Sequence, residues 1–212
     1  MIAISVAGTF LPLAVNDRLT AEPPAFGVAL AHVWPSSHAT EAAAAAARAA
    51  AASLGVRDGP TYTQVRLGAA GPAVIELAAR LGGGHDAELV EAATGVQLNE
   101  LAIRFALGED VDPEARNSLL HGPDRVGGGC VAFLVPPEGV LRDVEGVDGA
   151  AATEGVRWVR AYRRPGWRFG PFRRGADRAG AVLAVGSSAE QALERGRRAA
   201  EAVRFLVDAD AT

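Results

Sequence analysis

The residues best able to do chemistry lie between Gly59 and Gly84. Glu76 ends an apolar run, Arg80 stands four positions on, and Gly82-Gly83-Gly84 precedes an expected helix. A carboxylate at the end of an apolar strand is costly unless something partners it. Mg2+ is one such partner, taking one or two carboxylates and completing its shell with water and phosphate oxygens. A guanidinium holds phosphate or carboxylate oxygens in pairs. Backbone N–H groups of a glycine turn leading into a helix add an anion cradle. The pattern therefore suits a metal–phosphate site. Gln64, in the preceding strand, reaches the same face as Glu76 if the hairpin register allows it. The plainer alternative is a structural Glu76–Arg80 ion pair.

The elements that must position these residues follow from periodicity. Ile2, Ile4 and Val6 alternate with small residues, Gly8-Thr9 reads as a turn, and Leu11 to Val15 as the second strand of a hairpin, a strand closed by Asn16-Asp17-Arg18. Residues 38–54 read as an alanine-rich helix, with Ser36, Ser37 or Thr40 available as a cap and Gly55 as a stop. Thr61–Leu67 and Ala73–Leu77 form an expected hairpin around a Gly-rich loop, followed by helices near 86–93 and 98–107. Residues 108–128 are acidic and irregular, the expected domain boundary. Beyond it, strands are expected at 131–135, 156–162 and 181–185, with a helix capped at Ser187-Ser188 and running to about Leu206. The fold class is α+β, with domains 1–125 and 126–212.

Composition narrows the function classes. With 212 residues, 49% hydrophobic and 22% charged, the chain is long enough for a real core. A net charge of −4 argues against nucleic acid or an anionic membrane as a partner. No apolar stretch reaches the roughly 20 residues a spanning helix needs, and the N-terminus lacks the pattern of a secretory signal. A single cysteine, Cys130, forms no internal disulfide, so a reducing cytoplasm is the expected compartment. All 21 basic side chains are arginine, which removes every mechanism built on a lysine. Residues 157–178 hold eight arginines among Trp158, Tyr162, Trp167, Phe169 and Phe172. That mixture suits single strands of nucleic acid, but a solvated hairpin with packed rings is the favoured reading. His32, His38 and His121 have no ligand spacing, and His85 and Asp86 are expected to cap a helix.

The segments Gly59-Pro60-Thr61-Tyr62-Thr63-Gln64-Val65 and Val74-Ile75-Glu76-Leu77-Ala78-Ala79-Arg80-Leu81-Gly82-Gly83-Gly84 resemble the C-terminal half of an ATP-grasp ligase. The carbamoyl-phosphate-synthase-like and L-amino-acid-ligase-like members are nearest in style. The similarity continues in Glu91-Ala92-Ala93-Thr94-Gly95, in Pro136-Pro137-Glu138-Gly139 and in Asp177-Arg178-Ala179-Gly180. It implies the C-terminal lobe of that fold, an antiparallel sheet with flanking helices, plus a small C-terminal α+β domain. The implied activity is Mg-ATP-dependent joining of a carboxylate to an amine, amino-acid-type, through an acyl-phosphate. The implied metal is Mg2+ or Mn2+, held at Glu76 with Gln64 where a first acid usually stands. Arg80 is the implied catalytic contact to phosphate or substrate carboxylate, and Glu76, Arg80 and Gly83 the implied nucleotide and substrate site. Ala78 replaces the asparagine often found after the second acid, and Gln64 removes one negative charge. The N-terminal substrate domain and the lysine-bearing subdomain of such ligases have no counterpart in the sequence. The resemblance therefore implies a separate N-terminal half or a homodimer, with a non-catalytic interaction module as the alternative.

Overall fold

A computed structural model describes residues 1–109 and 126–208. The expected boundary segment falls mostly on 110–125, and that part, with His121, lies outside the described residues. The chain separates into two compact units. The first holds Met1–Asp17 and Trp34–Val126; the second holds Arg18–Val33 and the residues from Gly127 onward.

In the first unit, β1 (Ile2–Val6), β2 (Thr9–Ala14), β5 (Gly59–Gly68) and β6 (Gly71–Ala78) form one sheet in the order β2-β1-β5-β6. Period-two alternation sorts its side chains. Ile2, Ile4, Val6 and Tyr62 pack with α2 (Asp86–Thr94) and α3 (Leu98–Ala106). Met1, Ala3 and Phe10 pack with α1 (Glu41–Ser53), whose Ala43, Ala47 and Ala51 recur every four residues as one smooth stripe. The expected serine cap is corrected here: Thr40 makes no side-chain cap bond. Ser36 and Ser37 instead donate to the carboxylate of Asp17.

Burial alone would raise the Asp17 pKa, but those hydrogen bonds stabilise the ionised form and hold it below the usual 3.8. A folded-state pKa below the unfolded one gives stability that is complete above about pH 3.8 and lost as pH falls through the lowered value. Asp17→Asn is therefore expected to flatten the acid limb of unfolding measured by circular dichroism. An unchanged acid limb would contradict this.

The second unit contains the sheet β3-β4-β7-β11-β9, built from β3 (Asp17–Thr20), β4 (Ala29–Trp34), β7 (Gly128–Leu134), β11 (Gly180–Gly186) and β9 (Val156–Ala161). A smaller sheet, β10-β8-β12, joins β8 (Gly139–Glu145) to β10 (Arg168–Phe169) and β12 (Arg204–Asp208). A short helix, α4 (Val147–Ala151), a 3-10 turn at Gly175–Asp177 and a longer helix, α5 (Ala189–Ala202), accompany the sheets. The strand expected to close at Asn16-Asp17-Arg18 ends at Ala14, a new strand starts at Asp17, and residues 18–33 join the later sheet. The last helix stops at Ala202 rather than near Leu206, because Arg204–Asp208 is extended and pairs with β8. Its start is as read: Ser188 accepts from the Gln191 N–H, and Gln191 accepts from Ser187.

α5 lies on β7 and β11. Gly196 lets it approach, since a Cβ there would sit 3.3 Å from Cys130 Sγ and 3.5 Å from Ala132 Cβ. Burial pushes the Cys130 thiol up to about 12, partly countered by Arg197. A thiol so protonated and enclosed is a poor nucleophile. Ellman's reagent at pH 8 is expected to leave it untouched in the native protein and to titrate one thiol in guanidinium chloride. Native labelling at the rate of free cysteine would contradict this.

Candidate functional site

Gln64 and Glu76 are direct partners across the β5–β6 ladder, so their side chains share a face. Gln64 Nε2 donates to Glu76 Oε2 at 3.1 Å. Arg80 Nη2 lies 3.8 Å from Glu76 Oε1, while Arg80 Nη1 donates to the Leu81 carbonyl at 2.7 Å. Three of the sequence-designated groups thus meet: one carboxylate, one amide and one guanidinium.

The expectation of a desolvated carboxylate needs correction. β6 is the outer strand of its sheet, and the Glu76 side chain is 46% exposed, that of Arg80 59%. A half-exposed pair of this kind adds little stability, and the carboxylate is open to an incoming ligand. A register shift just beyond Gln64 in the ladder places Val65 opposite Val74 and leaves Ile75 bulged. Bulges of this type re-aim neighbouring side chains near sites.

After Arg80 the chain turns through the three glycines, each with a different reason. A Cβ on Gly82 would collide with the carboxylate of Asp86 and lie 2.6 Å from Tyr62 Cδ2. Gly83 has open space around it, so its backbone is accessible. Gly84 has φ +72°, and His85, at the N-cap position of α2, also sits in the left-handed region at φ 64°. His85 makes no side-chain cap bond; its Nδ1 is 3.0 Å from Glu88 Oε1. Asp86 does not cap either: it is 2% exposed inside the first turn, with Asn16 Nδ2 3.4 Å from its Oδ1. Sequence reasoning passed over Asn16 and Tyr62 and gave Asp86 the wrong task. The only signal for this support was the apolar–polar alternation of β5 that turns Tyr62 inward.

Gln64 and Glu76 together offer hard oxygen donors of the kind Mg2+ accepts. A turn of the amide about its last torsion presents oxygen instead of nitrogen. Among the described residues no group of three or more His, Cys, Asp or Glu side chains is placed to hold a metal by itself. A cation here would need oxygens from a ligand, which is how Mg2+ sits on nucleotide phosphates.

In the second unit the basic segment does structural work. Arg160 stacks on Trp158 at 4.2 Å and Arg163 on Trp167 at 4.3 Å. Arg178 stacks on Phe133 at 3.7 Å and donates to the Ala29 carbonyl at 2.7 Å, tying β4 to β7 and β11. Phe169 packs edge-on against Phe205 of β12, in a core cluster that also holds Ala199 of α5. No described helix is long and apolar enough to cross a membrane.

Comparison with known proteins adds family information. Residues 132–208 match the family described as L-amino acid ligase C-terminal domain 2. The y4rH protein of Sinorhizobium fredii (strain NBRC 101917 / NGR234) is 34% identical over 157 residues, which is 73% of this chain and 31% of that protein. The structure of L-amino acid ligase from Bacillus licheniformis superimposes with TM-score 0.84 at 21% identity, covering 98% of this chain and 53% of that one. Phosphoribosylglycinamide synthetase from Anaerococcus prevotii gives TM-score 0.84 at 14% identity, with 98% and 52% covered. The biotin carboxylase domain of Hydrogenobacter thermophilus 2-oxoglutarate carboxylase, solved with MgADP and bicarbonate, gives TM-score 0.70 at 17% identity, with 97% and 45% covered. The chain thus spans about a third of its curated relative and about half of these solved structures.

Proposed function

The chain has the fold of the C-terminal half of an ATP-grasp ligase, and from that premise we propose that it forms part of a Mg-ATP-dependent carboxylate–amine ligase. The observation that carries the reading is the cross-strand pair Gln64–Glu76 with Arg80 beside it and the glycine turn following.

In such a reaction the substrate carboxylate oxygen attacks the γ-phosphorus of ATP, the bond to the β-phosphate oxygen breaks, and ADP leaves. The amine nitrogen then attacks the acyl carbon, inorganic phosphate departs, and the amine loses a proton. Glu76 would hold Mg2+ or Mn2+, with the amide oxygen of Gln64 as a weaker second ligand. When bound, the cation neutralises phosphate charge. Arg80 would place its guanidinium against phosphate or substrate carboxylate, and the open backbone at Gly83 would receive the ligand near the start of α2. Catalysis by this set rests on positioning and charge neutralisation rather than on a side-chain nucleophile. The substrates are ATP and a small carboxylic or amino acid, in a cytoplasmic setting, with the remaining half of the fold supplied by further polypeptide or by a partner chain.

One observation favours the second reading, a non-catalytic module: Gln64 Nε2 already donates to the Glu76 oxygen that a metal would take. Titration calorimetry with Mg-ATP separates the two. Heat that saturates at one site and vanishes in Glu76→Ala supports the ligase reading; absence of saturable heat supports the module.

A further inference from the structure

The turn that follows Arg80 is held at both ends. At its entry, Arg80 Nη1 donates to the Leu81 carbonyl at 2.7 Å. At its exit stands Asp86, the first residue of α2, 2% exposed. A side chain on Gly82 would run into the Asp86 carboxylate on one side and lie 2.6 Å from Tyr62 Cδ2 on the other, so the turn rests on both. Gly83, by contrast, has open space around it. Gly84 at φ +72° and His85 at φ 64° are successive left-handed residues. For a residue other than glycine that conformation persists only where the surroundings over-determine it. Burial of the next side chain in sequence, Asp86, supplies that constraint.

A buried carboxylate is costly unless its charge is answered. Asp86 lies in the first turn of α2, where the positive end of the helix favours it. Asn16 Nδ2, seventy positions earlier in the chain, donates to its Oδ1 at 3.4 Å. That bond comes with a penalty: Asn16 Oδ1 is buried without a hydrogen-bond partner among the described residues, which destabilises the fold. Turning the amide over would set its oxygen against the carboxylate. An amide buried at a net cost, bonded to a carboxylate beneath an accessible turn, is explained by the turn rather than by stability.

We propose that Asn16 and Asp86 are positioning residues of the candidate site, holding Gly82–Gly84 in the path that presents the Gly83 backbone to the ligand. Neither touches that ligand. Asp86 acts through Gly82 and His85, and Asn16 acts through Asp86. The identity of the ligand rests on the ligase reading; the hold on the turn does not.

Backbone 15N relaxation of the full chain tests the hold with no ligand present. Asp86→Ala and Asn16→Ala are each expected to lower the order parameters of Gly82, Gly83 and Gly84 from the rigid value of about 0.85 to below about 0.6. Leu89 and Val90, in the body of α2, are expected to stay rigid. Asp86→Asn keeps the volume and an acceptor for Asn16, and is expected to restore the turn. Asn16→Ala removes only the hydrogen bond, so it serves if Asp86→Ala does not fold. Unchanged order at the turn in the alanine variants, an equal loss throughout α2, or an Asp86→Asn turn as loose as that of Asp86→Ala would overturn the proposal. Titration of the same samples with Mg-ATP tests the reading beneath it. Saturable shifts at the Gly83 amide are expected in the unaltered chain, about tenfold weaker in Asp86→Ala and near the original in Asp86→Asn. Equal affinity in Asp86→Ala would overturn the positioning role. Mg-ATP without effect on the unaltered chain would count against the ligase reading alone, since the order parameters still decide the hold on the turn.

Discussion

Gly128→Ala is expected to lower the melting temperature of the second unit by roughly 10 °C. A Cβ at Gly128 would be driven into the Ser188 carbonyl and the Ala189 nitrogen, closer than real Cβ atoms come to backbone. Those atoms belong to the capped first turn of α5, which cannot move without disturbing the Gln191 and Ser188 hydrogen bonds and the packing of Ala192. Overpacking of this kind costs about 1–3 kcal/mol, and each kcal/mol shifts the midpoint of a unit this size by roughly 4–8 °C. Gly170→Ala, where a Cβ meets open space, is the control and is expected to change little. Differential scanning calorimetry checks both. Equal midpoints for the two variants would contradict the close approach of β7 to the α5 cap.

The second large effect concerns the cation. Glu76 supplies the one carboxylate of the candidate site, and Gln64 pairs directly with it. Gln64→Glu would place a second negative charge at the same cross-strand position. At about 4 Å, one pair of unit charges interacts by about 1 kcal/mol in water and about 4 kcal/mol near a protein surface. The 46% exposure of Glu76 argues for the lower part of that range. Gln64→Glu is therefore expected to tighten Mn2+ binding about tenfold in the presence of ATP, and Glu76→Ala to abolish it. The added like charge also repels Glu76 without metal, so the apoprotein is expected to lose a little stability and regain it with Mn2+. Tighter binding in Glu76→Ala, or indifference to Gln64→Glu, would place the cation elsewhere.

Much of the candidate site was legible in the sequence because it is local. Gln64, Glu76, Arg80 and the glycines lie within one hairpin and its exit, so strand periodicity and a short loop bring them together. The Glu76 environment was misread, because apolar neighbours in sequence do not reveal that β6 is an outer strand. The role of Gly82 was invisible for a related reason: it depends on Tyr62 and Asp86 packing beneath the turn. In the second unit, the alternating run 156–161 and the short, wholly apolar run 180–186 were readable as strands. β8 was not, because its exposed Arg142, Asp143 and Glu145 break the apolar pattern. β12 was absorbed into the preceding helix because only its pairing with β8 distinguishes five alternating residues from one more helical turn. The membership of residues 18–33 in the later sheet is a pairing between segments about a hundred residues apart, and no local pattern encodes it.

The most direct measurement is paramagnetic broadening of amide and side-chain resonances by Mn2+ added with ATP. Broadening centred on Gln64 and Glu76, reaching Arg80 and Gly83 and lost in Glu76→Ala, is the expected result. Broadening confined to other acidic side chains, or unchanged by removal of the Glu76 carboxylate, would contradict a divalent-cation site on this hairpin.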